Sequence, residues 1–121
     1  LIFKAQEMKM PAPIVFFDIA GPADAKLKEF YGDVFGWSTD AMGRVGDAGI
    51  PGALRQDPAD KVLYLGVSDV TAALDAVQKA GGKLIMPRFE VKGVVVLGLF
   101  TDPAGNTMGL VETKDGKPVV P

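Results

Sequence analysis

The chain has 121 residues, 48% of them apolar and 23% charged, with 13 basic against 15 acidic side chains. This balance fits one globular domain, and the interspersed charges form no basic stripe for a nucleic-acid backbone. The complete lack of Cys and His excludes disulfides, thiolate nucleophiles, iron–sulfur clusters, histidine-held zinc or iron and a Ser-His-Asp triad, so any metal would rest on oxygen ligands alone.

Residues 1–12 read as an N-terminal extension and 13–121 as a single domain. Ile14 to Ile19 is a dense apolar run broken only by Asp18, and it stops at Ala20-Gly21-Pro22, which is strand-then-turn chemistry. A helix follows, with Asp24 as expected N-cap, Leu27, Phe30, Tyr31, Val34 and Phe35 at three- and four-residue spacing, and Gly36 as terminator. Five glycine or proline interruptions between Gly43 and Gly52 predict short strands and tight turns up to Gln56. The strand Val62 to Val67 opens a second unit. Ser68 or Asp69 caps its helix, whose apolar positions are Val70, Ala73, Leu74 and Val77, and Gly81-Gly82 ends it without any phosphate-loop pattern. Three strands complete the chain: Lys83 to Val91, Val94 to Thr101 and Thr107 to Thr113, with Asp102-Pro103-Ala104-Gly105-Asn106 as a structural turn. Residues 114–121 are left as a tail.

The two halves, about 13–57 and 61–113, share the order strand, helix, three strands, and a shift of about 47 residues lays Leu27 on Leu74 and Phe30 on Val77. The expected fold is therefore α+β: two βαβββ modules whose sheets pair into one curved, barrel-like mixed sheet with helices outside and a pocket on the concave face. No segment approaches the ~20 apolar residues of a membrane helix, and the N-terminus lacks a secretory pattern; a cytoplasmic protein without membrane partners is expected. A mean hydropathy of +0.21 in so small a domain favours burial of apolar surface between subunits, hence a homodimer.

Phe17-Asp18-Ile19, Phe30-Tyr31-Gly32-Asp33-Val34-Phe35-Gly36-Trp37, Val67-Ser68-Asp69-Val70, Ala80-Gly81-Gly82-Lys83 and Thr101-Asp102-Pro103-Ala104-Gly105-Asn106 with Met108-Gly109-Leu110 together resemble the vicinal oxygen chelate superfamily, the glyoxalase, bleomycin-resistance and extradiol-dioxygenase group. The resemblance covers about residues 13–113. It implies a dimer and, in the enzymes, a divalent metal held by a histidine on the first strand, a ligand on the fifth and a glutamate on the eighth. The matching positions here are Phe16, Tyr64 and Gly109. A benzene ring and a glycine cannot coordinate and a phenol is a poor recruit, so no metal and no other cofactor is expected. Glu112 is no substitute: with Gly109 and Val111 facing inward, strand alternation turns Glu112 away.

The same alternation sends Phe16 and Asp18 to the cavity. Asp18 reads either as a general base or hydrogen-bond acceptor, or as a rim carboxylate neutralised by an arginine. Tyr64 reads either as a hydrogen-bond donor or stacking surface, or as a satisfied structural tyrosine. Arg88 and Arg55 offer bidentate grips on a carboxylate or phosphate, or are solvated. Phe30, Phe35 and Trp37 read as packing. The expected ligand-binding set is thus Phe16, Asp18, Tyr64, Arg88 and Gly109. Two functions follow: metal-free binding of a small, partly apolar or aromatic molecule, or a metal-independent lyase, isomerase or hydrolase using Asp18 and Tyr64 as acid–base groups.

Overall fold

The computed structural model describes residues 11–121; most of the expected N-terminal extension lies outside the described residues. Strand β1 (Ile14–Gly21) leads through a short 3₁₀ turn (Ala23–Ala25) to helix α1 (Leu27–Phe35), then β2 (Arg44–Val45), β3 (Gly52–Gln56) and β4 (Asp60–Val67). Helix α2 (Val70–Lys79), β5 (Lys83–Val91), β6 (Val95–Thr101), β7 (Thr107–Lys114) and β8 (Lys117–Pro118) follow. The strands form one mixed sheet in the order β2-β3-β1-β4-β7-β6-β5, with β8 beside β7. In each half the first strand runs parallel to the last, β1 with β3 and β4 with β7, and the two halves meet through the antiparallel pair β1 and β4. This is the expected α+β architecture. The sheet stays open, with β2 and β5 as its free edges.

Period-two alternation divides every strand between two faces. Along β6, Val96, Gly98 and Phe100 are buried while Val95, Leu97 and Leu99 are half-buried. The buried set meets α2: Val70, Leu74, Phe100 and Leu110 form one core, and a Cβ at Gly98 would crowd Val70 and Leu74 at 2.9 and 3.0 Å, so this glycine is what lets the helix settle onto the sheet. A second core, Phe17, Val45 and Leu54, is covered by Leu27, Tyr31 and Trp37. Tyr31 stacks on Trp37 with centroids 4.8 Å apart. Both cores lie under helices, which leaves the opposite sheet face to line a cavity.

Several expectations change. Asp24 does not cap α1; it lies in the 3₁₀ turn, and Lys26, in the left-handed region at φ 49°, precedes the helix without a side-chain cap. Leu27 and Tyr31 reach the core, whereas Phe30, Val34 and Phe35 are more than half exposed. Asp69, not Ser68, caps α2, accepting from the Ala72 N–H at 3.0 Å. The first of the three strands after α1 is reduced to a single bridge between Thr39 and Val45, because the glycines and proline from 43 to 52 break each run before a ladder can extend. The supposed tail forms β8, joined to β7 by Asp115-Gly116, both at positive φ (54° and 77°).

Candidate functional site

The open sheet face encloses a cavity of about 500 Å³ lined by residues of β1, β3, β4, β6 and β7 together with Arg44, Pro51, Val94 and Pro118. Its walls are mostly hydrocarbon: Val15, Phe16, Val94, Val95, Leu97 and Val111. Phe16 and Tyr64 are directly opposed across β1 and β4, ring centroids 5.9 Å apart and nearly perpendicular. Tyr64 in turn is in register with Gly109, and its ring lies where a Gly109 side chain would stand. The flat position on β7 therefore seats the phenol.

The polar groups sit together on one wall. Asp18 is 7% exposed and its Oδ2 accepts from Arg55 Nε at 2.6 Å. Arg55 also donates through Nη1 to Asp57 Oδ2 at 2.5 Å. The Tyr64 phenol is pushed above its usual 10.0, chiefly by burial and then by the Asp18 charge, with Arg55 opposing. At neutral pH it is an O–H donor. Arg44 adds a second guanidinium at the cavity edge, but its Nε is held by Asp40 Oδ2 at 3.1 Å.

Three of the expected residues, Phe16, Asp18 and Tyr64, meet in this cavity. Gly109 lies beneath them, covered by the Tyr64 ring. Arg88 is not brought there. Glu112 lies on the α2 side of β7, where it accepts from the Val70 N–H at 3.1 Å, and it draws Arg88 into a two-pronged pair at 2.9 and 2.8 Å, with Glu90 as a third member. That alternation turns Glu112 away from the cavity is as the sequence implied; its recruitment of Arg88 was not. Arg55, considered as a grip but left out of the expected binding set, lines the cavity, as do Val95, Leu97 and Pro118, which the site reading lacked. Alternation along β6 was the available signal for Val95 and Leu97, and Asp115-Gly116, a strong two-residue hairpin signature, was the signal for Pro118.

No protein-family model matches the chain. CFP32 of Mycobacterium tuberculosis, named a glyoxylase, is 29% identical over 111 residues, covering 77% of this chain and 42% of its own. The anthracycline biosynthesis protein DnrV of Streptomyces peucetius is 26% identical over 123 residues, covering 78% and 45%. The chain thus spans less than half the length of these curated relatives. Among solved structures, the hypothetical protein BH1468 of Bacillus halodurans aligns with TM-score 0.67 at 11% identity over 88% of this chain and 97% of its own. Methylmalonyl-CoA epimerase of Mycobacterium tuberculosis aligns at 0.62 and 15% identity over 95% of each. These likenesses agree with the vicinal oxygen chelate resemblance carried by the sequence motifs, and the solved structures show the shared fold.

The positions that the resemblance matches to metal ligands do converge, since Phe16 opposes Tyr64 and Tyr64 is in register with Gly109. Their chemistry does not fit a divalent ion. A phenol is the single oxygen donor of the three, the neighbouring Asp18 oxygen is committed to a guanidinium, and among the described residues no three His, Cys, Asp or Glu side chains cluster. Nor is any helix among the described residues long and apolar enough to cross a membrane.

Proposed function

We propose that this protein binds a small, partly apolar or aromatic molecule without a metal, on the cavity face bounded by Phe16, Asp18, Tyr64 and Gly109. The observation that carries this reading is the wall composition: roughly 500 Å³ lined by aliphatic and aromatic side chains, with a short polar stripe at one side. The expected ring system is planar, since the Phe16 and Tyr64 rings offer an edge and a face to it. The anthracycline named for DnrV, a polycyclic aromatic, points in the same direction.

The acid–base alternative is weaker on this geometry. Asp18 Oδ2 is already occupied by the Arg55 Nε–H at 2.6 Å, so this oxygen is not open to take a proton from a substrate. A phenol raised above 10.0 is a poor acid at neutral pH. The homodimer and a cytoplasmic location remain parts of the proposal. Native mass spectrometry of the purified chain tests it: an organic adduct on the protein, displaced by denaturation, is expected. A stoichiometric transition metal, or a ligand seated outside this face in a bound structure, would overturn it.

A further inference from the structure

The polar stripe has three members placed by sheet register. Asp18 lies on β1; Tyr64 sits diagonally across on β4, opposite Phe16, and Arg55 diagonally across on β3, opposite Ala20. Asp18 is the centre of the row. Its Oδ2 is taken by Arg55, while no described donor reaches its Oδ1, and the Tyr64 hydroxyl likewise has no described partner. No side-chain polar atom among the described residues is both sealed from solvent and unpartnered, so each keeps a side open to solvent. For groups lining this cavity, that side is the cavity.

The charges on the wall are already spent. Arg55 is shared between Asp18 and Asp57, and Arg44 is held by Asp40. An incoming anion would meet Asp18 with no unpaired guanidinium to receive it. An incoming cation could reach Asp18 Oδ1 only by standing beside the Arg55 guanidinium, whose like charge opposes it. Outside these paired guanidiniums, whose remaining N–H groups carry charge already balanced by carboxylates, the wall offers one strong acceptor, Asp18 Oδ1, and one neutral donor, the Tyr64 O–H.

Resting on the binding reading above, we propose that the cavity selects an uncharged ligand carrying a hydrogen-bond donor next to a carbonyl oxygen, the donor to Asp18 Oδ1 and the carbonyl accepting from Tyr64. Primary amides, lactams and hydroxy-ketones on an aromatic body belong to this class. Arg55 acts as a positioning residue that fixes the orientation of the carboxylate.

Four probes share one ring and differ only in the polar group: 2-naphthamide, 2-acetylnaphthalene, 2-naphthoate and 2-naphthylmethylammonium, titrated calorimetrically into the full chain. The amide is expected to bind about tenfold or more tightly than the ketone, since a hydrogen bond to a charged group is among the stronger ones. It is also expected to exceed the anion and the cation. Tyr64→Phe should weaken amide and ketone by similar factors and leave their ratio unchanged. Asp18→Ala should bring that ratio close to one, and if this variant does not fold, the wild-type series and Tyr64→Phe still decide. Equal binding of amide and ketone, or tightest binding of the naphthoate or the ammonium, overturns the proposed selectivity while leaving cavity binding intact. Binding of none of the four overturns both readings.

Discussion

At the scale of single residues, the face a strand residue occupies is the most legible property of this chain. A pleated strand alternates, so once Phe16 points inward, Asp18 must follow and Phe17 must lie on the other side, while the register irregularity between Ile14 and Phe16 lets Val15 also reach the cavity wall. The partner of a long side chain is much less legible. Arg55 and Arg88 look equivalent as isolated guanidiniums, yet one reaches Asp18 and the other Glu112, each decided by a carboxylate more than 20 positions away. Gly109 shows how a residue without a side chain still contributes to the site. Replacing it with Ala would drive a methyl group into the Tyr64 ring. Overpacking of this kind costs ~1–3 kcal/mol, and the displaced ring should narrow the cavity. Urea unfolding and a naphthamide titration of Gly109→Ala are therefore expected to report both lower stability and weaker binding; unchanged binding would place the ligand elsewhere.

At the scale of elements, the two helices differ despite their parallel positions. Helix α2 has an aspartate cap, two fully packed residues and a basic side chain in its last turn, whereas α1 has no side-chain cap and no fully buried residue. The three- and four-residue spacing in α1 is present in the sequence, but the sheet beneath it is one strand narrower and has too little surface to cover the stripe. Glu112 fastens α2 to the sheet by accepting from the Val70 N–H and pairing with Arg88. The Arg88 guanidinium, followed by the Val70 N–H, holds the Glu112 carboxyl below its usual 4.5. A group with a depressed folded-state pKa stabilises the fold fully above its unfolded value and loses that contribution as the pH falls through the folded one. Glu112→Gln is thus expected to lower unfolding stability by ~1–2 kcal/mol at pH 7, within the range for hydrogen bonds to charged groups after allowance for solvent screening. The difference from wild type should shrink steadily below pH 4.5. Denaturant curves at pH 7 and pH 3 check the sign, and a gap that widens on acidification would contradict it.

At the scale of the whole molecule, pairing β1 with β4 makes one sheet from two modules and places the cavity on the face that neither helix covers. The shortened first module leaves that sheet open at β2, and β8 with Pro118 supplies part of the wall. Exposed aliphatic and aromatic side chains such as Phe30, Phe35, Ile85 and Phe89 agree with the apolar balance of the composition. A dimer is the expected species in sedimentation at tens of micromolar, and a lone ~13 kDa species would count against burial of that surface between subunits. Elemental analysis of untagged protein should find no stoichiometric transition metal, because the positions that converge offer one phenol and no carboxylate free of a guanidinium partner.

The order of elements and the α+β class were readable from the sequence, because they depend on local periodicity and turn residues. The facing of Phe16, Asp18 and Tyr64 was readable for the same reason. Tertiary structure alone decided that Arg55 rather than Arg88 reaches the cavity, that α1 leaves Phe30, Val34 and Phe35 more than half exposed, and that Pro118 of β8 walls the site. These outcomes turn on which distant groups the sheet register brings within a few ångströms of each other. No local pattern in the chain encodes that proximity.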